Sequence, residues 1–238
     1  MNRTLLDIRQ QVKDDLDLNE ETFVTDVDLN RWINDAIESA EAEIHTLYED
    51  YFLSRTEYTL TPGNRDLDFP SDIYASKVRK LLYKENLSSP NTAAHEVKRE
   101  RNLIQAEGRD IYEYQTSTPT LTWVETNNAS EGRKLRLYPE QIRSGFLVMY
   151  YIRNAARLSA DTDVCDIDEF ERYIVQFAKT QAYLKDGDPR AEDSKGLEEQ
   201  LKSQMINSLS NRTPDNNDEI VLDLAHYEDM VGGSGIYD

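Results

Sequence analysis

Hydrophobic positions along the chain change their period twice. From Thr4 to Tyr51 they recur every three or four residues, the spacing of one helix face. Leu5, Ile8, Val12 and Leu16 share one side of a short predicted helix, and a loop from Asp17 to Phe23 leads into a longer one. There Leu29, Trp32, Ile33, Ala36, Ile37, Ala40, Ile44 and Leu47 form an apolar stripe. Thr25 and Asp28 supply a capping-box pattern at its start, with a carboxylate at the positive helix end. The opposite side carries Asn30, Arg31, Asn34, Asp35, Glu38, Glu41 and His45 and reads as a mostly acidic, solvated face.

From Phe52 to about Arg153 the period falls to two. "FLSRTEYTLTPGNRDLDFP" alternates apolar and polar residues and turns at Pro62-Gly63-Asn64; "SKVRKLLYKE" reads as a further strand. "HEVKRERNLIQAEGRD" reads as a helix, with Val97, Arg101 and Leu103 or Ile104 inward and Gly108 as its stop. "TLTWVET", "RKLRLYP" and "GFLVMYYIR" read as three strands, with "NNASEG" as a hairpin loop. Tyr and Thr are frequent here, as on half-buried pleated surfaces.

Helical spacing then returns. Asp166, with Glu169 three residues on, is the expected cap of a helix whose face holds Ile167, Phe170, Ile174, Phe177, Ala178 and Gln181, ending at Gly187 before Pro189. A last helix places Leu197, Leu201, Met205 and Leu209 inward. From Thr213 the chain is acidic and glycine-ended, with an apolar island at Ile220, Val221, Leu222 and Leu224. Tyr227, Met230, Ile236 and Tyr237 add isolated apolar points, too few for a core. Such an extended segment can add to a partner's sheet or fill a partner's groove.

These elements predict an α+β fold, mainly helical. The N- and C-terminal helices pack together around a β-rich middle of antiparallel strands, and a C-terminal arm is left over. The expected boundaries are 1–51 and 154–211 for the helical core, 52–153 for the β-rich part and 212–238 for the arm.

Composition narrows the function. At 238 residues the chain can bury roughly 70% of its unfolded surface. Its net charge is −19, so it is a poor candidate for gripping nucleic acid, which requires cations that displace counterions. An acidic surface instead suits a wall past which DNA slides without sticking. The N-terminal stretch lacks the apolar run of a secretory signal, and no stretch approaches the ~20 apolar residues that span a bilayer, so a cytoplasmic start and no membrane partner are expected.

Candidate chemistry is sparse. Cys165 stands alone, reads as a small half-buried side chain and has acidic neighbours that would raise a thiol pKa. His45, His95 and His226 are scattered and read as surface or boundary residues. The cluster Asp161, Asp163, Asp166, Asp168, Glu169 and Glu171 lacks the glycine and the bidentate Glu of a calcium loop, and a helix N-terminus accounts for its later members. The glycine cluster at Gly232–Gly235 has no Lys or helix behind it. No catalytic, metal or cofactor-binding residue is predicted.

The order of these signals resembles the head-to-tail adaptor (connector) proteins of tailed bacteriophages. Ile33-Asn34-Asp35-Ala36, with Trp32 before it, is similar to the family's second-helix pattern. Phe69-Pro70-Ser71-Asp72 is similar to its "LPxD" segment, with Phe69 in place of the usual Leu. The stretch from Leu147 to Leu184 resembles its closing strand, acidic loop and long helix, although Cys165 sits where a Pro or small polar residue is common. The resemblance implies a structural virion protein of the neck, assembled in the host cytoplasm as a ring, commonly dodecameric. It implies as partners the portal, tail or nozzle proteins, further copies of itself, and genomic DNA passing without specific binding. It makes Ile220, Val221, Leu222, Leu224, Tyr227, Met230, Ile236 and Tyr237 the portal-binding arm. Two rival readings remain: a phage cell-wall glycosidase using paired carboxylates, and an acidic DNA-mimicking inhibitor.

Overall fold

The computed structural model describes residues 3–17, 23–88, 94–100, 104, 107, 121–130, 132–138 and 144–212. Helices α1 (Leu5–Leu16) and α2 (Asp26–Leu47) precede a short 3-10 turn, Glu49–Phe52. Eight strands follow: β1 (Leu53–Leu60), β2 (Asp66–Asp68), β3 (Ile73–Lys84), β4 (His95–Glu96), β5 (Lys98–Arg99), β6 (Thr122–Asn128), β7 (Gly132–Tyr138) and β8 (Gly145–Arg153). A second 3-10 turn, Asp168–Phe170, leads into α3 (Glu171–Asp186) and α4 (Ala191–Ser210). The α+β architecture expected from the periodicity is the one observed.

The first two helices begin where the sequence says they should. The Thr4 and Thr25 hydroxyls accept from the Asp7 and Asp28 amides, and the Asp7 and Asp28 carboxylates accept from the Thr4 and Thr25 amides. Each exchange satisfies two amides that a helix start would otherwise leave unpaired. Leu5, Ile8 and Val12 of α1, the α2 stripe from Leu29 to Ile44, and Ile174 and Ala178 of α3 then close into one core. Met205 and Leu209 of α4 join it, as do Phe52, Ile152, Ala155 and Leu158. Each large aliphatic side chain so buried contributes about 1.5–3 kcal/mol. Leu197 does not take part: it is 46% exposed, because α4 meets α3 chiefly through its C-terminal half and a polar contact at Ser194.

The strands form two four-stranded sheets, ordered β1-β8-β3-β4 and β2-β7-β6-β5. Their facing sides hold the second core: Leu60, Leu81, Leu147 and Met149 from one sheet, and Leu67, Trp123, Leu135 and Leu137 from the other. β1 and β2 flank the Pro62-Gly63-Asn64 turn yet never pair with one another. The Asn64 amide donates to the Thr61 carbonyl at 3.1 Å and Gly63 takes φ 82°, so the turn is a corner that carries the chain between sheets. "NNASEG" does close a hairpin, with Asn128 opposite Gly132 and the latter at φ 74°. Pairing is antiparallel except between β5 and β6, which run parallel.

The predicted helix from His95 is corrected at its start. His95–Glu96 and Lys98–Arg99 are strands because the Val97 amide donates to the Leu81 carbonyl and the Glu100 amide to Trp123, binding the segment to both sheets. Val97 is buried as expected, but Ile104 is 78% exposed. Arg101, Leu103 and Gly108 lie outside the described residues.

Candidate functional site

The two motifs that carry the resemblance lie on different elements, α2 and the approach to β3, but converge on one stretch of chain. Asn154 to Asp166 joins β8 to the last helices as mostly irregular backbone, so its amides need partners from elsewhere. Asn34 supplies both kinds. Its Nδ2 donates to the Leu158 carbonyl at 2.9 Å, and its Oδ1 accepts from the Leu158 amide at 2.9 Å. A side-chain amide presents a donor and an acceptor in one plane, and Asn brings them on a short stem, which explains this residue on this helix face. Trp32 is 6% exposed and Ile33 and Ala36 are fully buried, so the motif's other members fix α2 in the core.

The second motif grips the beginning of the same stretch. The Pro70 carbonyl accepts from the Ile73 amide at 3.1 Å, closing a turn. Asp72 Oδ1 accepts from the Tyr151 hydroxyl at 3.0 Å, and the Asp72 carbonyl accepts from the Asn154 amide at 2.6 Å. Phe69 is half-buried against the second core.

The acidic cluster completes the wrapping. Asp163 Oδ2 accepts from the Ser159 and Ala160 amides at 2.7 and 2.8 Å, and these bonds, led by Ala160, hold its carboxyl below the usual range. Asp161 pairs with Arg9, a buried arginine that also donates to Asn30 and so ties α1 to α2 and to this loop. The Asp163 and Asp161 carbonyls accept from the Leu5 and Leu6 amides at 2.9 and 3.2 Å, capping α1. Glu169 pairs with Arg212 and Glu171 with Arg3.

Asp166 is not the helix cap expected of it. Its Oδ2 accepts from Arg153 and from the Ala156 amide, and α3 begins only at Glu171 behind the 3-10 turn, without a side-chain cap. The unpaired Ala156 amide recruits the carboxylate that the helix start would otherwise use.

Two members of the supposed outer face of α2 are also reassigned. Glu41 and His45 are each 7% exposed. Glu41 Oε1 accepts from the Ala155 amide at 3.0 Å and lies 3.4 Å from His45 Nε2. The imidazole stacks on Tyr74 with centroids 3.7 Å apart, and Phe52 lies across its other side at 5.3 Å. Burial pushes its pKa below the ordinary 6.5, against the pull of Glu41. His45 is therefore a seam residue between helices and sheet, not a surface one. The sequence signal was there: Glu41 and His45 directly follow Ala40 and Ile44 and widen the apolar stripe.

Sequence reading also missed Gln176, Thr180 and Ser194. Gln176 Nε2 donates to the Ser194 hydroxyl and carbonyl at 2.7 and 3.0 Å, and the Thr180 and Ser194 hydroxyls lie 3.0 Å apart. This buried polar patch sets how α3 meets α4. Cys165 is fully inside the core rather than half-buried, its amide donating to the Arg3 carbonyl. His95 is exposed. Among the described residues no group of His, Cys, Asp and Glu is arranged to hold a metal. The arm residues Ile220, Val221, Leu222, Leu224, Tyr227, Met230, Ile236 and Tyr237, and with them His226 and Gly232–Gly235, lie outside the described residues.

What the motif residues build is a clamp for the chain's own backbone, together with an acidic exterior. The family model of the SU10 adaptor protein matches residues 3–220, and the chain belongs to that family of phage head-to-tail adaptors. A search of curated proteins finds no match to the chain. The protein is thus a phage adaptor protein, a virion component that associates with other phage head and tail proteins. Among the described residues no helix is long and apolar enough to cross a membrane.

Proposed function

We propose that the chain forms a dodecameric ring that joins the portal to the tail at the neck of the virion and lines the channel for genome packaging, retention and ejection. One observation supports this reading most directly, the uneven distribution of charge. Residues 1–51 hold 4 basic and 14 acidic side chains, residues 154–212 hold 8 and 12, and residues 213–238 hold none and 7. Residues 52–153 hold 15 and 13. Helical surfaces with such an acid excess repel a passing duplex, whereas the near-neutral sheets are free to meet protein. In this reading the acidic arm engages the portal through Ile220, Val221, Leu222 and Leu224, with Tyr227, Met230, Ile236 and Tyr237 as further anchors.

The test is to mix the protein with the portal ring from the same genome and measure mass by size exclusion with light scattering. Portal plus a dozen copies supports the reading; two species that elute independently overturn it. A chain ending at Arg212 separates the arm's role. It is expected to keep its helical and sheet signals in circular dichroism but to lose portal docking. Docking at full strength without the arm would remove the arm from the mechanism while leaving the ring.

A further inference from the structure

The outer face of the first sheet carries a groove of about 530 Å³ at the junction of β1, β8 and β3. Leu53, Leu82 and Tyr150 form its apolar part, and Arg79, Lys80, Asp50 and Glu96 stand around them. Lys80 and Arg55 both lie opposite Tyr150 in the strand register, so this face points away from the sheet-to-sheet core. Leu53 is 49% exposed there. Arg79 is already held by Glu49 and Asp50. Lys80 is exposed and meets no acid among the described residues. The groove is therefore an apolar slot with one uncommitted cation.

We infer that in the free protein this groove is the docking site of the chain's own C-terminal arm, through Ile220, Val221, Leu222 and Leu224. Three observations select this occupant. The arm has matching chemistry: an apolar run broken by Asp223, with no Lys or Arg anywhere after Arg212. It also leaves the helices at the right place. Arg212 pairs with Glu169, and the adjoining Phe170 ring lies 6.5 Å from that of Tyr51, the neighbour of the groove residue Asp50. Finally it has reach, since the eight residues from Thr213 to Ile220 can extend by about 26 Å. Seating the arm would cover Leu53 and the island together and place Asp223 within reach of Lys80. Glu96 opposes the arm's acids and limits its hold, which suits a segment that must later let go. The inference concerns the isolated chain and stands whether or not the arm also engages a portal.

Two measurements on the full chain decide it. Leu53→Cys combined with Leu222→Cys is expected to give a disulfide that runs as a monomer on non-reducing gels; Cys165 is buried and does not compete. Hydrogen exchange of the arm amides is expected to be protected in the wild type. Protection should fall about tenfold in Leu53→Asp and less in Lys80→Glu, and rise in Glu96→Gln. Leu53 and Lys80 are exposed, so these variants leave both cores intact. A ladder of cross-linked dimers, or protection that grows with protein concentration, would assign the groove to a second copy's arm and overturn the intramolecular site. Absence of cross-link and of arm protection would overturn the groove altogether.

Discussion

The helical core and the sheet sandwich of this chain are held in different ways. Among the helices, long apolar stripes close on one another, and few polar groups enter apart from the Gln176–Thr180–Ser194 patch, the buried Arg9 and the Glu41–His45 pair. Between the sheets the apolar core is smaller, and the rim is tied by charged pairs such as Arg136 with both oxygens of Asp66, at 2.6 and 2.8 Å. The Asn154–Asp166 stretch lends Ala155, Leu158 and Cys165 to the helical core, but its backbone is mostly irregular, and its amides are served by the Asn34 and Glu41 side chains of α2, the Asp72 carbonyl and the carboxylates of the acidic loop. The comparison teaches where Asn34 and Asp72 are needed: they serve a segment whose own regular hydrogen bonding has stopped.

The strongest break in that contrast is a cavity in the larger core. Ile33→Ala is expected to cost about 3–4 kcal/mol, and Leu135→Ala in the smaller, more marginal core about 2–3 kcal/mol, both read by urea unfolding. Equal costs would mean that the two cores resist collapse alike. Next comes the clamp. Asn34→Leu leaves the Leu158 amide and carbonyl without their partner and is expected to cost about 2–3 kcal/mol. Asn34→Asp, which keeps an acceptor and loses the donor, should fall between it and wild type; a neutral Asn34→Leu would show that the clamp carries no stability.

Smaller effects sharpen the seam between the regions. His45 is buried with a folded-state pKa below its unfolded 6.5, so the unfolded chain binds protons that the native chain refuses. Stability is therefore full above pH 6.5 and declines as pH falls below it. His45→Phe retains the stack on Tyr74 and should flatten that decline between about pH 6.5 and pH 5. An unchanged pH profile would place the acid sensitivity elsewhere. The least effect is expected at the sandwich rim. Arg136 hydrogen-bonds Asp66 and holds its carboxyl below the usual range, so the pair's contribution is present at neutral pH and lost as pH falls through the carboxylate range. Both partners are partly solvated, and Asp66→Asn should cost only about 0.5–1 kcal/mol at neutral pH.

Much of the helical architecture was legible because its information is local. Thr25 with Asp28 marks a start, the Leu29-to-Ile44 stripe marks a face, and Gly187, at φ 70°, marks a stop. Strand positions were also legible from alternation and from the "NNASEG" hairpin. Pairing was not. Nothing near Pro62-Gly63-Asn64 says that β1 will pair with β8 and β2 with β7, since those partners lie 85 to 99 and 66 to 70 positions away in the register. The short β4 and β5 strands were read as a helix for the same reason, because their hydrogen bonds come from Leu81 and Trp123 rather than from neighbours.

The sequence by itself determined the periods, the caps, the acid excess and the two motif patterns, all properties of neighbouring residues. Only the tertiary structure decided that Glu41 and His45 turn inward, that Asp166 serves Ala156 rather than a helix, and that Asn34 and Asp72 hold one segment. Each of those outcomes depends on a backbone amide that regular secondary structure leaves unserved. A buried amide must find an acceptor wherever the fold puts it.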